Sequence, residues 1–165
     1  MTHRELGDGL RVSSVGLGCM GFSHAYGAPT ERGEAVRMIR AAYDIGYTFF
    51  DTAETYGTES DPHDNEKLVG AALKDVRDNV QIVSKFGITF DKTSTAVNKP
   101  LIPDARPEVI RASIEGTLTR LGTDHIDLYF QHRIDPTVEP ETVASVMADL
   151  IREGKILHWG ISEAN

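Results

Sequence analysis

The chain has 165 residues, 40% of them hydrophobic and 25% charged, with a formal net charge of −8 at pH 7. That size suits one globular unit with a core of its own, and the acidic balance excludes the clustered basic surface that nucleic acid or an anionic membrane requires. No apolar run approaches the roughly 20 residues that cross a bilayer, Cys19 has no second cysteine to pair with, and MTHRELGDGL lacks the apolar centre of a secretory signal; the cytoplasm is the expected compartment.

Gly7-Asp8-Gly9 predicts a tight turn inside a small N-terminal hairpin, about residues 3–12. From about residue 14 to 165 short apolar runs alternate with amphipathic helices. Val15-Gly16-Leu17-Gly18 is the first run, followed by a helix with Thr30 as N-cap, Ala35, Met38, Ile39, Ala42 and Ile45 on one face, and Gly46 closing it. Tyr47-Thr48-Phe49-Phe50 is the second run, and the helix after it starts near Asp64-Asn65-Glu66 and carries Leu68, Val69, Ala72 and Leu73. Val80-Gln81-Ile82-Val83 pairs with a helix from Pro107 at the first position to Gly122 just past the end. Ile126–Phe130 pairs with a helix bearing Val143, Val146, Met147, Leu150 and Ile151, stopped by Gly154, and Ile156–Ile161 is a fifth strand.

Continuous apolar strands alternating with helices are the mark of a parallel sheet covered by helices, so the fold class is α/β. The whole chain, 1–165, reads as a single domain. Both a doubly wound open sheet and a (β/α)8 barrel satisfy this pattern.

Gly16-Leu17-Gly18-Cys19-Met20-Gly21 fits G-x-G-x-x-G, the turn that holds a dinucleotide pyrophosphate at a helix N-terminus. The next helix does not begin until about Thr30, however, so the context of that motif is missing. These glycines are read instead as letting the backbone turn sharply at a strand end and approach a neighbour closely.

Chemistry gathers where the strands end. Asp51, Lys85 and His132 follow the second, third and fourth strands, and Tyr56 lies in the loop after Asp51. Parallel neighbours are about 4.8 Å apart, which places the three on one rim within side-chain reach. An ammonium beside a phenol favours the phenolate and lowers its pKa, Asp51 would keep Lys85 charged and aimed, and a neutral His132 could donate to a carbonyl oxygen that gains negative charge. Cys19 reads as a small buried hydrophobe, and His158 as a packed strand residue. His24 and His63 lack metal-ligand spacing, so no metal site is expected.

The segments GLGCMG, FFDTAETYG, IVSKFG, DLYFQHRIDP and HWGIS, in this order, resemble the aldo-keto reductases. The resemblance implies a (β/α)8 TIM-type barrel, truncated here after the fifth strand, and reduction of aldehydes and ketones with NADPH. It implies Tyr56 as general acid, Lys85 as its partner, Asp51 as the orienter of Lys85, and His132 as the carbonyl contact. It also places Met20, Gly21, Asp51 and Ser162 against the nicotinamide ribose or carboxamide. The sequence departs from the family's common pattern at Glu163, where many members carry asparagine.

A barrel of this type has about 250 residues, so five strands would leave open sheet edges, and a homodimer or a complementary chain is expected to cover them. Phe86 to Arg106 has no helical period and reads as a substrate-side loop or a disordered segment, with Phe22 and Phe86 lining an apolar pocket for the carbonyl substrate. Two rival functions fit the same rim: a lyase forming a Schiff base on Lys85, and a non-catalytic interaction module.

Overall fold

Five parallel strands lie side by side in the order in which the chain makes them. The computed structural model describes residues 1–7, 9–58, 60–91, 93–95 and 100–164. The N-terminal hairpin pairs β1 (His3–Leu6) with β2 (Leu10–Ser13), from His3 opposite Ser13 to Leu6 opposite Leu10. Asp8, the middle of the expected turn, lies outside the described residues. The sheet then runs β3 (Leu17–Gly18), β4 (Phe49–Asp51), β5 (Gln81–Phe86), β8 (Ile126–Gln131) and β9 (Ile156–Ile161), all parallel. A doubly wound sheet reverses its strand order part-way; this one does not.

The helices are α1 (Arg32–Asp44), α2 (Asp64–Leu73), α3 (Pro107–Leu121) and α4 (Pro140–Arg152). Each packs against the next along one side of the sheet. Their apolar stripes, including Ala35, Ile39, Leu68, Val69, Ile110, Ile114, Val143 and Met147, bury Phe50, Ile82, Phe86 and Tyr129 from the strands. Complete burial of one such large side chain contributes about 1.5–3 kcal/mol. Strand alternation sends the intervening residues to the other face, where Val83, Leu128, Phe49 and Phe130 meet Leu10 and Val12 of the hairpin. The hairpin is therefore a cover for the face that the helices leave open.

Helix ends show which side chains the backbone recruits. The cap of α1 is Glu31, not Thr30: its carboxylate accepts from the backbone N–H of Gly33 and of Glu34, both at 2.8 Å. Two bonds to a charged acceptor outweigh the single bond a threonine hydroxyl can make. At α3 the expected ends are observed, with Pro107 in the first turn and Gly122 left-handed at φ 67°. That conformation suits glycine because it has no Cβ.

The stretch from Phe86 to Arg106 differs from the expected structureless loop. β6 (Ile88–Phe90) and β7 (Leu101–Pro103) form an antiparallel pair, with Ile88 opposite Pro103 and Phe90 opposite Leu101. Lys92 and residues 96–99 of that stretch lie outside the described residues. No helix among the described residues is long and apolar enough to cross a membrane.

Candidate active site

The register of the sheet builds the site. Asp51 is opposite Val83, and Lys85, two residues further along β5, projects from the same face. Its ammonium donates to both oxygens of Asp51, at 2.7 and 2.6 Å, and to the carbonyl of Thr52 at 2.8 Å. Those three bonds use every hydrogen the ammonium has. The N–H of His132 bonds the carbonyl of Phe86 at 2.8 Å, carrying the β5–β8 ladder one residue past the strand and fixing the imidazole at the rim.

Tyr56 closes over this group. Its hydroxyl is 3.5 Å from Nε2 of His132, with the two rings edge to face at 5.6 Å between centroids. Nζ of Lys85 lies 4.8 Å from the centroid of the Tyr56 ring, on its face, where the quadrupole of the ring attracts a cation. His24 stacks beside the same ring, and its Nδ1 pairs with the Gly57 carbonyl at 3.0 Å. The turn that presents Tyr56 is tight: any side chain at Gly57 would collide with the backbone of Asp61 and Pro62.

Burial sets the charge state of each group. His132 is 8% exposed, and desolvation, helped by Lys85 and Arg133, pushes its pKa from 6.5 down to about 4. The imidazole is neutral at pH 7. Its Nδ1 is buried without a hydrogen-bond partner. A buried N–H left unpaired is rarer and costlier than an unpaired acceptor, so the ring proton belongs on Nε2, the nitrogen facing Tyr56. Desolvation lowers the pKa of Lys85, with Asp51 opposing it. Burial and the nearby Asp51 raise Tyr56 to about 12. That corrects the expectation of an acidified phenol, because the hydrogens of Lys85 are committed to Asp51 and Thr52 and none is left for the phenol oxygen.

The other predicted positions are spread along the same rim. Met20 and Gly21 form a short 3-10 turn just after β3, anchored by the bond from the Cys19 N–H to the Asp51 carbonyl at 2.8 Å. No α-helix stands behind these glycines until Arg32. Ser162 follows β9 at the far edge, its N–H on the Gln131 carbonyl at 3.0 Å. Phe22 packs against the helix-covered core. Phe86 does not line a pocket: it is fully buried on the helix side, its ring 4.9 Å from that of Tyr129. Alternation is the reason, since Lys85 faces the rim and the next residue must face away. Cys19 is fully buried, with its thiol pushed up to about 12, and is inert as a nucleophile. His158 is half-buried and pairs through Nδ1 with the Asp127 carbonyl at 3.0 Å.

Some participants had not been singled out from sequence. Arg133 sits at the mouth, paired with Glu163 at 3.2 Å and donating to the carbonyl of His132 at 2.6 Å. Behind the Tyr56 loop, Glu54 and Glu66 share Arg120, whose guanidinium is 4.0 Å from one carboxylate and 2.5 Å from the other. Two buried carboxylates on one cation leave an excess negative charge, and burial raises Glu54 to about 7. Helical periodicity carries the signal for Asn65 and Glu66, which lie on the same stripe of α2 as Leu68, Val69, Ala72 and Leu73.

A sequence profile of the Aldo/keto reductase family matches residues 14–165. The chain belongs to that family. It is 40% identical over 162 residues to a probable aldo-keto reductase of Glycine max, covering 95% of this chain and 43% of the soybean protein. It superimposes with a TM-score of 0.83 on an aldo-keto reductase from Bacillus halodurans in its holo form, at 30% identity, over 98% of this chain and 50% of that one. A glycerol dehydrogenase from Gluconobacter oxydans superimposes with a TM-score of 0.80 at 30% identity, over 98% of this chain and 48% of that one. The chain thus spans about half the length of these relatives. The rim just described lies within the residues that match the aldo-keto reductase family.

Proposed function

We propose that this chain reduces aldehyde and ketone carbonyls with NADPH, using Tyr56 as the proton donor. The observation that carries the reading is the convergence of three strand ends on one point, with the Tyr56 hydroxyl against Nε2 of His132 and the Lys85–Asp51 pair beneath the ring. A carbonyl oxygen lodged between the phenol and the imidazole would accept one hydrogen bond from each. His132, neutral and protonated on Nε2, offsets the charge that grows on that oxygen. Tyr56, kept protonated by burial, delivers the proton that completes the alcohol. Lys85 holds the ring by cation–π attraction and holds the Asp51 end of the loop by its hydrogen bonds.

The residues fit a dinucleotide better than a small ion. Asp51 and Ser162 stand at the ends of strands three spacings apart, about 14 Å at about 4.8 Å each, so only an extended ligand can touch both. Asp51 keeps 37% of its side chain exposed although Lys85 occupies both oxygens, which leaves lone pairs for hydroxyl groups. Met20, Gly21, Asp51 and Ser162 would hold the nicotinamide end, and the cofactor supplies the hydride. The holo form of the Bacillus halodurans relative supports a cofactor-loaded state.

The unreversed strand order and the single layer of helices support a (β/α)8 frame of which these residues make five strands. Among the described residues β3 and β9 have no outer neighbour, so both edges are open to pairing with a further strand. A Schiff-base lyase is not favoured: the Lys85 nitrogen donates three hydrogen bonds and offers no lone pair to a carbonyl carbon.

The test is the fall in reduced-nicotinamide absorbance on adding an aldehyde, with Tyr56→Phe as the control. Loss of about 10²–10⁴-fold in rate is expected for removal of a positioned acid. Borohydride trapping of a carbonyl on Lys85 would instead select the lyase.

A further inference from the structure

We propose that Asn65 and Ser23 are positioning residues, a buried hydrogen-bonded clamp that ties Tyr56 to the turn at Met20–Gly21 and so sets it against His132. The inference rests on the reductase reading for its catalytic consequence but not for its geometry. Asn65 lies in the first turn of α2 and is fully buried. Its Nδ2 donates to the Cys19 carbonyl at 2.9 Å and to Oγ of Ser23 at 2.6 Å, and its Oδ1 accepts from Oγ1 of Thr52 at 2.7 Å. Oγ of Ser23, itself 4% exposed, passes the chain on to the carbonyl of Tyr56 at 2.8 Å.

The direction of every hydrogen in this network is determined. The Cys19 and Tyr56 carbonyls can only accept. The atom of residue 65 facing Cys19 must therefore donate, and the same amide nitrogen then supplies its second hydrogen to Ser23. Ser23, having accepted one bond, spends its own hydrogen on Tyr56, and Thr52 is left to donate to Oδ1. All donors and acceptors match, and an aspartate could not take this place, because its second oxygen would face the Cys19 carbonyl.

What the clamp joins is informative. Thr52 passes its carbonyl to the ammonium of Lys85 at 2.8 Å, Tyr56 carries the hydroxyl at the centre of the site, and Cys19 immediately precedes Met20 and Gly21. One amide thus fixes the relative positions of the acid, the cation under its ring and the turn expected to meet the cofactor. Packing alone does not call for an asparagine there: its neighbours on the stripe are Leu68, Val69 and Ala72, and an apolar side chain would fill the space without needing partners. A fully satisfied buried polar network specifies one arrangement of the segments it joins.

Two variants each delete one hydroxyl without adding a heavy atom. Ser23→Ala cuts the link to Tyr56, and Thr52→Val cuts the link between Asn65 and the loop. Both are made in the full chain, melted to establish cooperative folding, and compared with wild type for kcat, for KM of an aldehyde, and for the NMR resonances of the Tyr56 ring and the His132 imidazole. Displaced resonances in both folded variants are expected, with kcat about tenfold lower and KM of the aldehyde little changed, since slight misplacement of reacting groups costs rate more than binding. Unmoved Tyr56 and His132 resonances in folded variants would overturn the clamp. If the wild-type chain reduces no aldehyde, the reductase reading fails on its own, and the resonances still decide the clamp. Tyr56→Phe separates the two from the other side, because it removes the hydroxyl and keeps the backbone carbonyl to which Ser23 binds.

Discussion

Lys85 meets Tyr56 through the face of its ring, 4.8 Å from the centroid, and not through its hydroxyl. The distinction decides how the acid works. An ammonium donating to the phenol oxygen would stabilise the phenolate and lower the pKa. Here the ammonium is held by Asp51 and Thr52, and the half-buried phenol ring lies over it. In the proposed reduction the proton of Tyr56 would be retained until a substrate oxygen becomes basic enough to take it.

Tyr56 should titrate late. Its pKa is pushed up from 10.0 to about 12 by burial and Asp51. A spectrophotometric titration of wild type and Tyr56→Phe should show that the phenol lost in the variant ionises well above the ordinary tyrosine value of about 10. Ionisation of Tyr56 at or below that value would contradict this.

Asp51→Asn should weaken both the fold and the charge on Lys85. The lysine side chain is 12% exposed, and it would keep an amide oxygen and the Thr52 carbonyl in place of a carboxylate. Loss of a hydrogen-bonded charged partner costs about 1–3 kcal/mol. Burial already lowers the Lys85 pKa and Asp51 opposes that shift, so the ammonium should titrate lower still in the variant. Denaturant melts and NMR of the lysine Nζ measure the two effects.

Glu54 makes stability depend on pH in a defined direction. Burial raises its pKa from 4.5 to about 7, so the folded protein holds a proton that the unfolded chain releases. Its contribution is complete below pH 4.5 and is lost as pH rises through about 7. His132 has the opposite sign: its pKa falls from 6.5 to about 4, so its contribution is present above the first value and is lost as pH falls through the second. The two partly offset each other in wild type. Denaturant midpoints of Glu54→Gln should therefore rise with pH between 4 and 7 more steeply than those of wild type.

Phe86→Leu separates a core residue from a substrate contact. Because the ring is fully buried against Tyr129, shortening it should lower stability by about 1–3 kcal/mol. KM for an aldehyde should not change in the folded variant. A change in KM without a change in melting would return Phe86 to the substrate side.

Strand ends were readable from the sequence because chemistry-bearing residues interrupt apolar runs there. Asp51, Lys85 and His132 meet at one rim for that reason, and the loop behind Asp51 is too short to carry Tyr56 elsewhere. Phe86 was misassigned by proximity in sequence, although the two-residue period of a strand already places it opposite Lys85. The state of Tyr56 was not legible: it depends on where three ammonium hydrogens go, and one of their acceptors is the Thr52 carbonyl, which residue type does not reveal. The pair β6–β7 was hidden because three-residue strands have no measurable period. The cap at Glu31 was hidden because threonine one residue earlier is the more usual choice.

Carbonyl reduction by the full chain, followed as loss of reduced-nicotinamide absorbance in wild type and in Tyr56→Phe, tests the central claim most directly. Turnover by wild type that falls by about 10²–10⁴-fold in a folded Tyr56→Phe variant is the predicted result. Equal rates in the two proteins, whether measurable or zero, would contradict it.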